Sequence, residues 1–169
     1  DDPFAGCTGV KELILADSDT ELIITSTTNN KMKTLFSDSP IETFYMGRNV
    51  NAPILAEKKL LKDVTISNNV TKLCDYAFYD CDGLRRVTIY GGLADGRVGK
   101  SIFKNCDNLE YVELKNGAIE IGESMFEDCT ALKTLVLPDS VCKIGRLAFE
   151  NCSSSKKESI SSIHSFSIM

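Results

Sequence analysis

Residues 126–137 read FEDCTALKTLVL, and this spacing of Phe, Cys and aliphatic residues decides the fold. The pattern Phe-x-x-Cys-x-x-Leu-x-x-Leu-x-Leu recurs, with conservative changes, in residues 78–89 and 103–114. It appears in weaker form in residues 4–15 and begins again at Phe149. The first aliphatic position of successive copies is occupied by Leu61, Leu84, Leu109 and Leu132. The copies are therefore 23, 25 and 23 residues apart. A repeat of this length indicates similar coils stacked along one axis.

Each repeat unit contains a strand, a turn and a second apolar segment. Val87 and Ile89 alternate with polar residues, as in a strand with one buried face. Residues Ala77, Phe78 and Cys81 are spaced like one face of a short helix. A period of 20–29 residues with Leu-x-x-Leu-x-Leu spacing is typical of leucine-rich repeats. We therefore predict an α/β repeat solenoid, a right-handed coil with parallel strands on one face and short helical turns on the other.

The regularity of the repeat varies along the chain. We expect residues 1–169 to form a single solenoid, with degenerate coils in residues 1–60 and regular repeats in residues 61–152. Residues 153–169 begin with a serine-rich loop. They then contain Ile163-x-x-Phe166-x-Ile168, which again has the strand spacing. For this segment the sequence leaves two alternatives, a closing strand and a disordered tail.

Residues 132–152, LKTLVLPDSVCKIGRLAFENC, resemble a known family. They are similar to the BspA-type leucine-rich repeat, whose pattern is L-x-x-I-x-I-P-x-S-V-x-x-I-G-x-x-A-F-x-x-C. Residues 61–152 match it well and residues 4–60 in degraded form, and Cys74 stands where the pattern has glycine. The resemblance implies a secreted or cell-surface protein of anaerobic bacteria or a related protist, involved in adhesion to host or matrix proteins or to other microbes. The motif contains no catalytic residues.

Charge and hydropathy exclude several classes of partner. The net charge is −5 and the isoelectric point is near 5.0, so we expect no nucleic-acid ligand. No apolar run reaches the roughly 18 residues of a membrane-spanning helix. The acidic start Asp1-Asp2-Pro3-Phe4 is unlike a signal peptide, which indicates either a cytosolic protein or a mature form. The family resemblance favours an extracellular or cell-surface location with the signal peptide removed.

The cysteines follow the repeat. One position of the repeat is shared by Cys7, Cys81, Cys106, Cys129 and Cys152. Because free cysteine is among the most buried residue types, we predict a series of buried free thiols. Cys74 and Cys142 lie outside this series and can pair only if the fold brings them together. There is no Cys-x-x-Cys pair and no neighbouring histidine, so we expect no metal site.

The sequence contains no recognisable arrangement of catalytic residues. His164 is the only histidine and lies in the irregular tail, without the Gly-x-Ser-x-Gly context of a nucleophilic serine. A carbohydrate hydrolase using surface carboxylates would need a deep cleft, which a solenoid surface rarely offers. We therefore expect no enzyme activity and no cofactor.

The outward residues of the predicted strands are the candidate binding residues. Stacking would align them in a stripe, and Tyr and Arg are favoured in binding hot spots. An ordinary polar sheet face is the alternative for any one of them. We predict a non-enzymatic module that binds a protein ligand, such as a host or matrix protein. A structural spacer, or a fragment of a longer array, is the alternative. The candidate residues are Thr43, Tyr45, Thr65, Arg86, Thr88, Tyr90, Tyr111, Glu113, Thr134 and Val136.

Overall fold

A single parallel sheet organises the chain. The computed structural model describes residues 2–25, 35–91, 93, 96–115, 117–118 and 120–152. Neighbouring strands of the main sheet follow chain order, so each coil adds one strand to the edge. The six strands are β1 (Glu12–Leu15), β2 (Thr43–Met46), β3 (Asp63–Ile66), β4 (Arg86–Ile89), β5 (Tyr111–Leu114) and β7 (Thr134–Val136). A second sheet pairs β6 (Glu120–Ile121) with β8 (Lys143–Ile144). The predicted parallel-strand solenoid is confirmed.

The inward sides of the six strands form rows of apolar residues. Val64, Val87 and Val112 are in register on consecutive strands, and each is buried. Ile66 and Ile89 form the next inward row and are also buried. Alternation along each strand puts one set of side chains in the core and the other on the surface. The apolar spacing in the sequence therefore predicts both the strands and their register.

Phenylalanine rings form a second continuous row inside the solenoid. Phe103 stacks on Phe78 with centroids 5.2 Å apart and on Phe126 with centroids 5.4 Å apart. Phe126 in turn stacks on Phe149 at 5.5 Å. These separations are in the favourable range for offset aromatic pairs. Each coil thus positions the next through one large buried side chain.

The repeated cysteines connect neighbouring coils through hydrogen bonds. The Cys106 thiol donates to the carbonyl oxygen of Phe78 over 3.3 Å, and the Cys129 thiol donates to that of Phe103 over 3.2 Å. Cys81 and Cys152 make the equivalent bonds. The predicted burial is confirmed for the central thiols, whereas Cys7 and Cys152 are only half-buried. Cys74 is a free cysteine in the structure, so it forms no disulfide with Cys142.

The prediction of short helical turns is wrong for the described residues, among which there is no helix. Tyr76 and Asp80 adopt left-handed backbone conformations, with φ of 60° and 56°. The amides of Tyr76, Phe78 and Asp80 donate to carbonyls of the following coil over 2.9 to 3.0 Å. A helix would instead direct these amides to carbonyls four residues earlier. The apolar spacing is thus produced by successive turns bonded between coils, and the described residues form a β rather than an α/β solenoid.

Glycines mark the closest approach between coils. A Cβ added at Gly122 would lie 2.5 Å from the carbonyl oxygen of Gly99, and one at Gly145 would lie 2.5 Å from the amide nitrogen of Glu123. A Cβ added at Gly99 would lie 2.6 Å from backbone atoms of Cys74 and Asp75. The repeated glycine is therefore required by the packing of one backbone on the next.

Some predictions fall outside the described residues. The segment Ile163-x-x-Phe166-x-Ile168 and His164 lie beyond residue 152, and the proposed division of residues 1–169 remains a prediction. In the part of the chain that the structure describes, no helix is long and apolar enough to cross a membrane.

Candidate binding face

The register of the main sheet aligns the outward side chains in two rows, which we call the strand face. Tyr90 follows β4 directly and is 49% exposed. The other predicted residues all lie in these rows, and whether they bind a ligand remains a prediction. The first row is Glu12, Thr43, Asp63, Arg86, Tyr111 and Thr134. The second row is Ile14, Tyr45, Thr65, Thr88, Glu113 and Val136.

Three members of these rows are absent from the predicted set. Asp63 lies between Thr43 and Arg86 in the first row. Glu12 and Ile14 belong to β1, at the edge of the sheet, and Ile14 is exposed. The alternation that selected Arg86 and Thr88 on β4 would also have selected these residues on β1 and β3. The signal was present in the inward spacing of Leu13 with Leu15 and of Val64 with Ile66.

Arg86 is the centre of a chain of contacts across the strand face. Its guanidinium carbon lies 4.7 Å from the centroid of the Tyr111 ring, and its Nε lies 3.9 Å from Asp63 Oδ1. The Tyr111 hydroxyl donates to Glu113 Oε2 over 3.3 Å, and Lys115 forms an ion pair with Glu113. The hydrogen bond from Lys115 holds the pKa of Glu113 below its usual range. Five side chains on three strands are thereby held in a common arrangement.

Tyr45 belongs to a second polar cluster, near the carboxyl ends of the first strands. Its hydroxyl donates to Asp17 Oδ1 over 3.0 Å, and the Ser67 hydroxyl donates to the same oxygen over 2.7 Å. These bonds, that from Ser67 foremost, lower the pKa of Asp17. The Tyr45 hydroxyl is therefore already used within the fold, and its ring is the part left for a ligand.

A row of charged residues borders the strand face where the strands begin, and we call it the charged margin. Lys62 pairs with Glu42 over 2.6 Å, and Lys11 approaches the same carboxylate to 3.8 Å. Glu110 pairs with Lys133 over 3.3 Å. Sequence reasoning missed this row because its members precede the strand pattern. In chain order the margin consists of Lys11, Glu42, Lys62, Arg85, Glu110 and Lys133.

The described residues show neither a metal-binding group nor an activated thiol. No group of three or more His, Cys, Asp or Glu side chains in the described ranges is placed to hold a metal ion. Burial raises the pKa of Cys81 to about 12 and that of Cys74 to about 11, and it raises the pKa of Cys106 and Cys129 well above the usual value. A nucleophilic cysteine needs a lowered pKa and access to substrate; the pKa of all four thiols is raised, and Cys81, Cys106 and Cys129 are also buried.

A parallel solenoid with this period and these inward rows defines a leucine-rich-repeat protein. The family model of the BspA type leucine-rich repeat region matches the chain in six copies, over residues 1–93 and 49–167. Because these ranges include nearly all of the sequence, the chain belongs to the BspA-type leucine-rich-repeat family. No curated protein sequence matches it.

Two solved bacterial structures are similar to this chain. One is a leucine-rich repeat protein from Bacteroides ovatus ATCC 8483, with 26% identity and a TM-score of 0.53 over 68% of this chain and 35% of that one. The other is a leucine rich cell surface protein from Faecalibacterium prausnitzii A2-165, with 21% identity and a TM-score of 0.40 over 84% of this chain and 39% of that one. This chain spans between a third and two fifths of their length.

Proposed function

We propose that the chain is a non-enzymatic binding module of a secreted or cell-surface protein, and that a protein ligand docks on its strand face. The observation that supports this most is the alignment of Tyr, Arg and Thr side chains in two rows across neighbouring strands. Such rows offer a broad surface whose area increases with each coil. Family membership supports repeat-based recognition.

The order already present on the strand face favours binding. Arg86 is held between Asp63 and the Tyr111 ring before any ligand arrives. A side chain that is already positioned loses less rotational freedom on binding, a cost of about 0.5–1.5 kcal/mol for a mobile one. Arg and Tyr are also the residue types that contribute most to protein interfaces. We therefore place the centre of the binding site at Arg86 and Tyr111.

The test is a binding assay of the purified chain against immobilised extracellular-matrix proteins, with a glycan array in parallel. The variants are Tyr45→Ala, Arg86→Ala and Tyr111→Ala. Arg146→Ala is a matched control, since Arg146 is an exposed arginine with one carboxylate partner, Glu123 at 3.4 Å, outside the main sheet. We expect saturable binding to a protein, at least about tenfold weaker in the Arg86 and Tyr111 variants and unchanged in the control.

Two other results would change the proposal. Equal binding by the wild type and all three strand-face variants would show that the ligand uses another surface. Failure to bind any protein or glycan would favour the second candidate, a structural spacer within a longer repeat array. That candidate has its own support, because the chain spans only 35% of the Bacteroides ovatus protein that it matches.

A further inference from the structure

Arg85 and Arg86 are consecutive in the chain and both are exposed, Arg86 on the strand face and Arg85 on the charged margin that borders it. We infer that this pair binds carboxylate side chains of a short acidic segment in the protein ligand. The inference rests on the proposed function, since it specifies which ligand chemistry the strand face accepts. It follows from the hydrogen-bonding state of the two arginines, from the charges around them and from the neighbouring ring.

Both arginines have unused donors. Each guanidinium carries five N–H donors in a planar fork that matches a carboxylate. Among the described residues, neither side chain donates a hydrogen bond to an acceptor of the fold, and both residues are exposed. The closest carboxylate, Asp63 Oδ1, is 3.9 Å from Arg86 Nε, which is beyond hydrogen-bond distance. A ligand carboxylate could therefore take bidentate bonds that the fold leaves unmade.

The charged margin makes Arg85 different from its neighbours. Lys62, one strand earlier, is paired with Glu42, and Glu110, one strand later, is paired with Lys133. Arg85 has no such ion pair within the described residues. Its charge adds to that of Arg86, the next residue of the chain. The result is a local excess of positive charge on a chain whose net charge is −5.

The surroundings of the pair favour a short acidic peptide over an extended polyanion. Asp63 lies one strand from Arg86, and Glu42 and Glu110 lie within two strands of Arg85 along the margin. Because Glu42 and Glu110 are paired with Lys62 and Lys133, the positive charge left without a close carboxylate is confined to the two arginines, and an extended polyanion along the margin would gain no further contact of this kind. One or two ligand carboxylates are enough to match the pair. The adjacent Tyr111 ring offers apolar area to the rest of such a segment.

The experiment measures binding of defined peptides by fluorescence anisotropy. The probe is a short fluorescein-labelled peptide of Gly, Ser and Thr with a central Asp-Glu pair, and its control carries Asn-Gln instead. The protein variants are Arg85→Gln, Arg86→Gln, the double variant and Arg86→Lys. Lys100→Gln is the matched control, because it removes one exposed positive charge outside the main sheet. Far-ultraviolet circular dichroism confirms that each variant is folded.

We expect the acidic peptide to bind saturably, and the amide control to bind at least about tenfold more weakly. Each arginine-to-glutamine change should weaken binding about tenfold, and Arg86→Lys should lose part of the affinity because lysine lacks the planar fork. Lys100→Gln should bind like the wild type. Equal binding of the two peptides, or wild-type affinity in the double variant, would overturn the inference. So would tighter binding of a heparin fragment or single-stranded DNA at the same arginines.

The outcome is separable from that of the proposed function. If the acidic peptide fails to bind while Tyr111→Ala still weakens binding to a matrix protein, the inference is wrong and the strand face remains the docking surface. If neither the peptide nor any matrix protein binds, both proposals fail.

Discussion

Replacing Gly122 by alanine tests whether close backbone packing between coils holds the solenoid together. The new Cβ would lie 2.5 Å from the carbonyl oxygen of Gly99 and 3.0 Å from Val98 Cγ1. A carbon and a carbonyl oxygen normally approach to about 3.3 Å, so the first contact is roughly 0.8 Å too short. The clashing oxygen belongs to the backbone of the neighbouring coil, so no side-chain rotation can relieve the contact.

The magnitude follows from two opposing contributions. Overpacking of a well-packed site costs about 1–3 kcal/mol, and here the backbone shift places the cost near the upper end. Alanine restricts the unfolded chain and returns about 0.4–1 kcal/mol. We therefore expect Gly122→Ala to lower the free energy of unfolding by about 2 kcal/mol. Urea denaturation followed by circular dichroism at 222 nm measures this difference.

Gly9→Ala is the matched control. A Cβ at Gly9 would have no heavy atom within 4 Å, and the substitution is chemically the same. We expect it to be neutral or stabilising by up to about 1 kcal/mol. If Gly122→Ala proved as stable as Gly9→Ala, the coils would not be in the close contact that we describe, and the packing argument for the repeated glycine would be refuted.

Three further outcomes follow from the core and its ion pairs. Phe103→Ala removes a fully buried ring stacked on both sides and should lower the free energy of unfolding by about 3–5 kcal/mol. The loss for Phe4→Ala should be smaller, because Phe4 stacks on Phe36 but is 37% exposed; equal losses would contradict the stacked core. A maleimide reagent should label exposed Cys142 in the native chain and the buried thiols only in denaturant; rapid native labelling of those thiols would contradict their burial. The buried thiols are Cys81, Cys106 and Cys129. The hydrogen bond from Lys104 lowers the pKa of Glu127, so its stabilisation is present above the unfolded value near 4.5 and is lost as pH falls through the folded value. Glu127→Gln should therefore reduce stability at pH 7 and weaken its dependence on pH below 4.5; an unchanged profile in urea denaturation would contradict the pair.

The strands were predictable because their chemistry is local. Val87 and Ile89 alternate with polar residues, and a repeat of 23 to 25 residues brings the same positions together on the next strand. Once the period is known, the row that contains Arg86 and Tyr111 follows without knowledge of the structure. Asp63 follows from the same rule, because it precedes inward Val64 as Arg86 precedes inward Val87.

The turns opposite the main sheet were not predictable from the same pattern. Ala77, Phe78 and Cys81 have helical spacing, but Tyr76 and Asp80 adopt positive φ with side chains that rarely do so. What supports these conformations is hydrogen bonding to the following coil, and that partner is more than 20 residues away in the chain. Local spacing carries no information about such a bond. The pairing within the charged margin was missed for a related reason, since Lys62 meets Glu42 only through the stacking of coils.

Because of the stacked phenylalanines and the thiol–carbonyl bonds, each coil packs on the next in the same way. The solenoid can therefore be lengthened or shortened by whole coils. Each ring stacks on its equivalent in the adjacent coil and each thiol donates to a carbonyl of that coil, so any coil offers the same surface to whichever coil follows it. Duplicating residues 110–132, a segment of 23 residues, would add a strand carrying a second copy of Tyr111 and Glu113 while every later row kept its register. Inserting a few residues inside the unit would instead displace every row downstream. Proteins of this kind can therefore gain or lose recognition area in whole steps, without any change to the interior that holds them together.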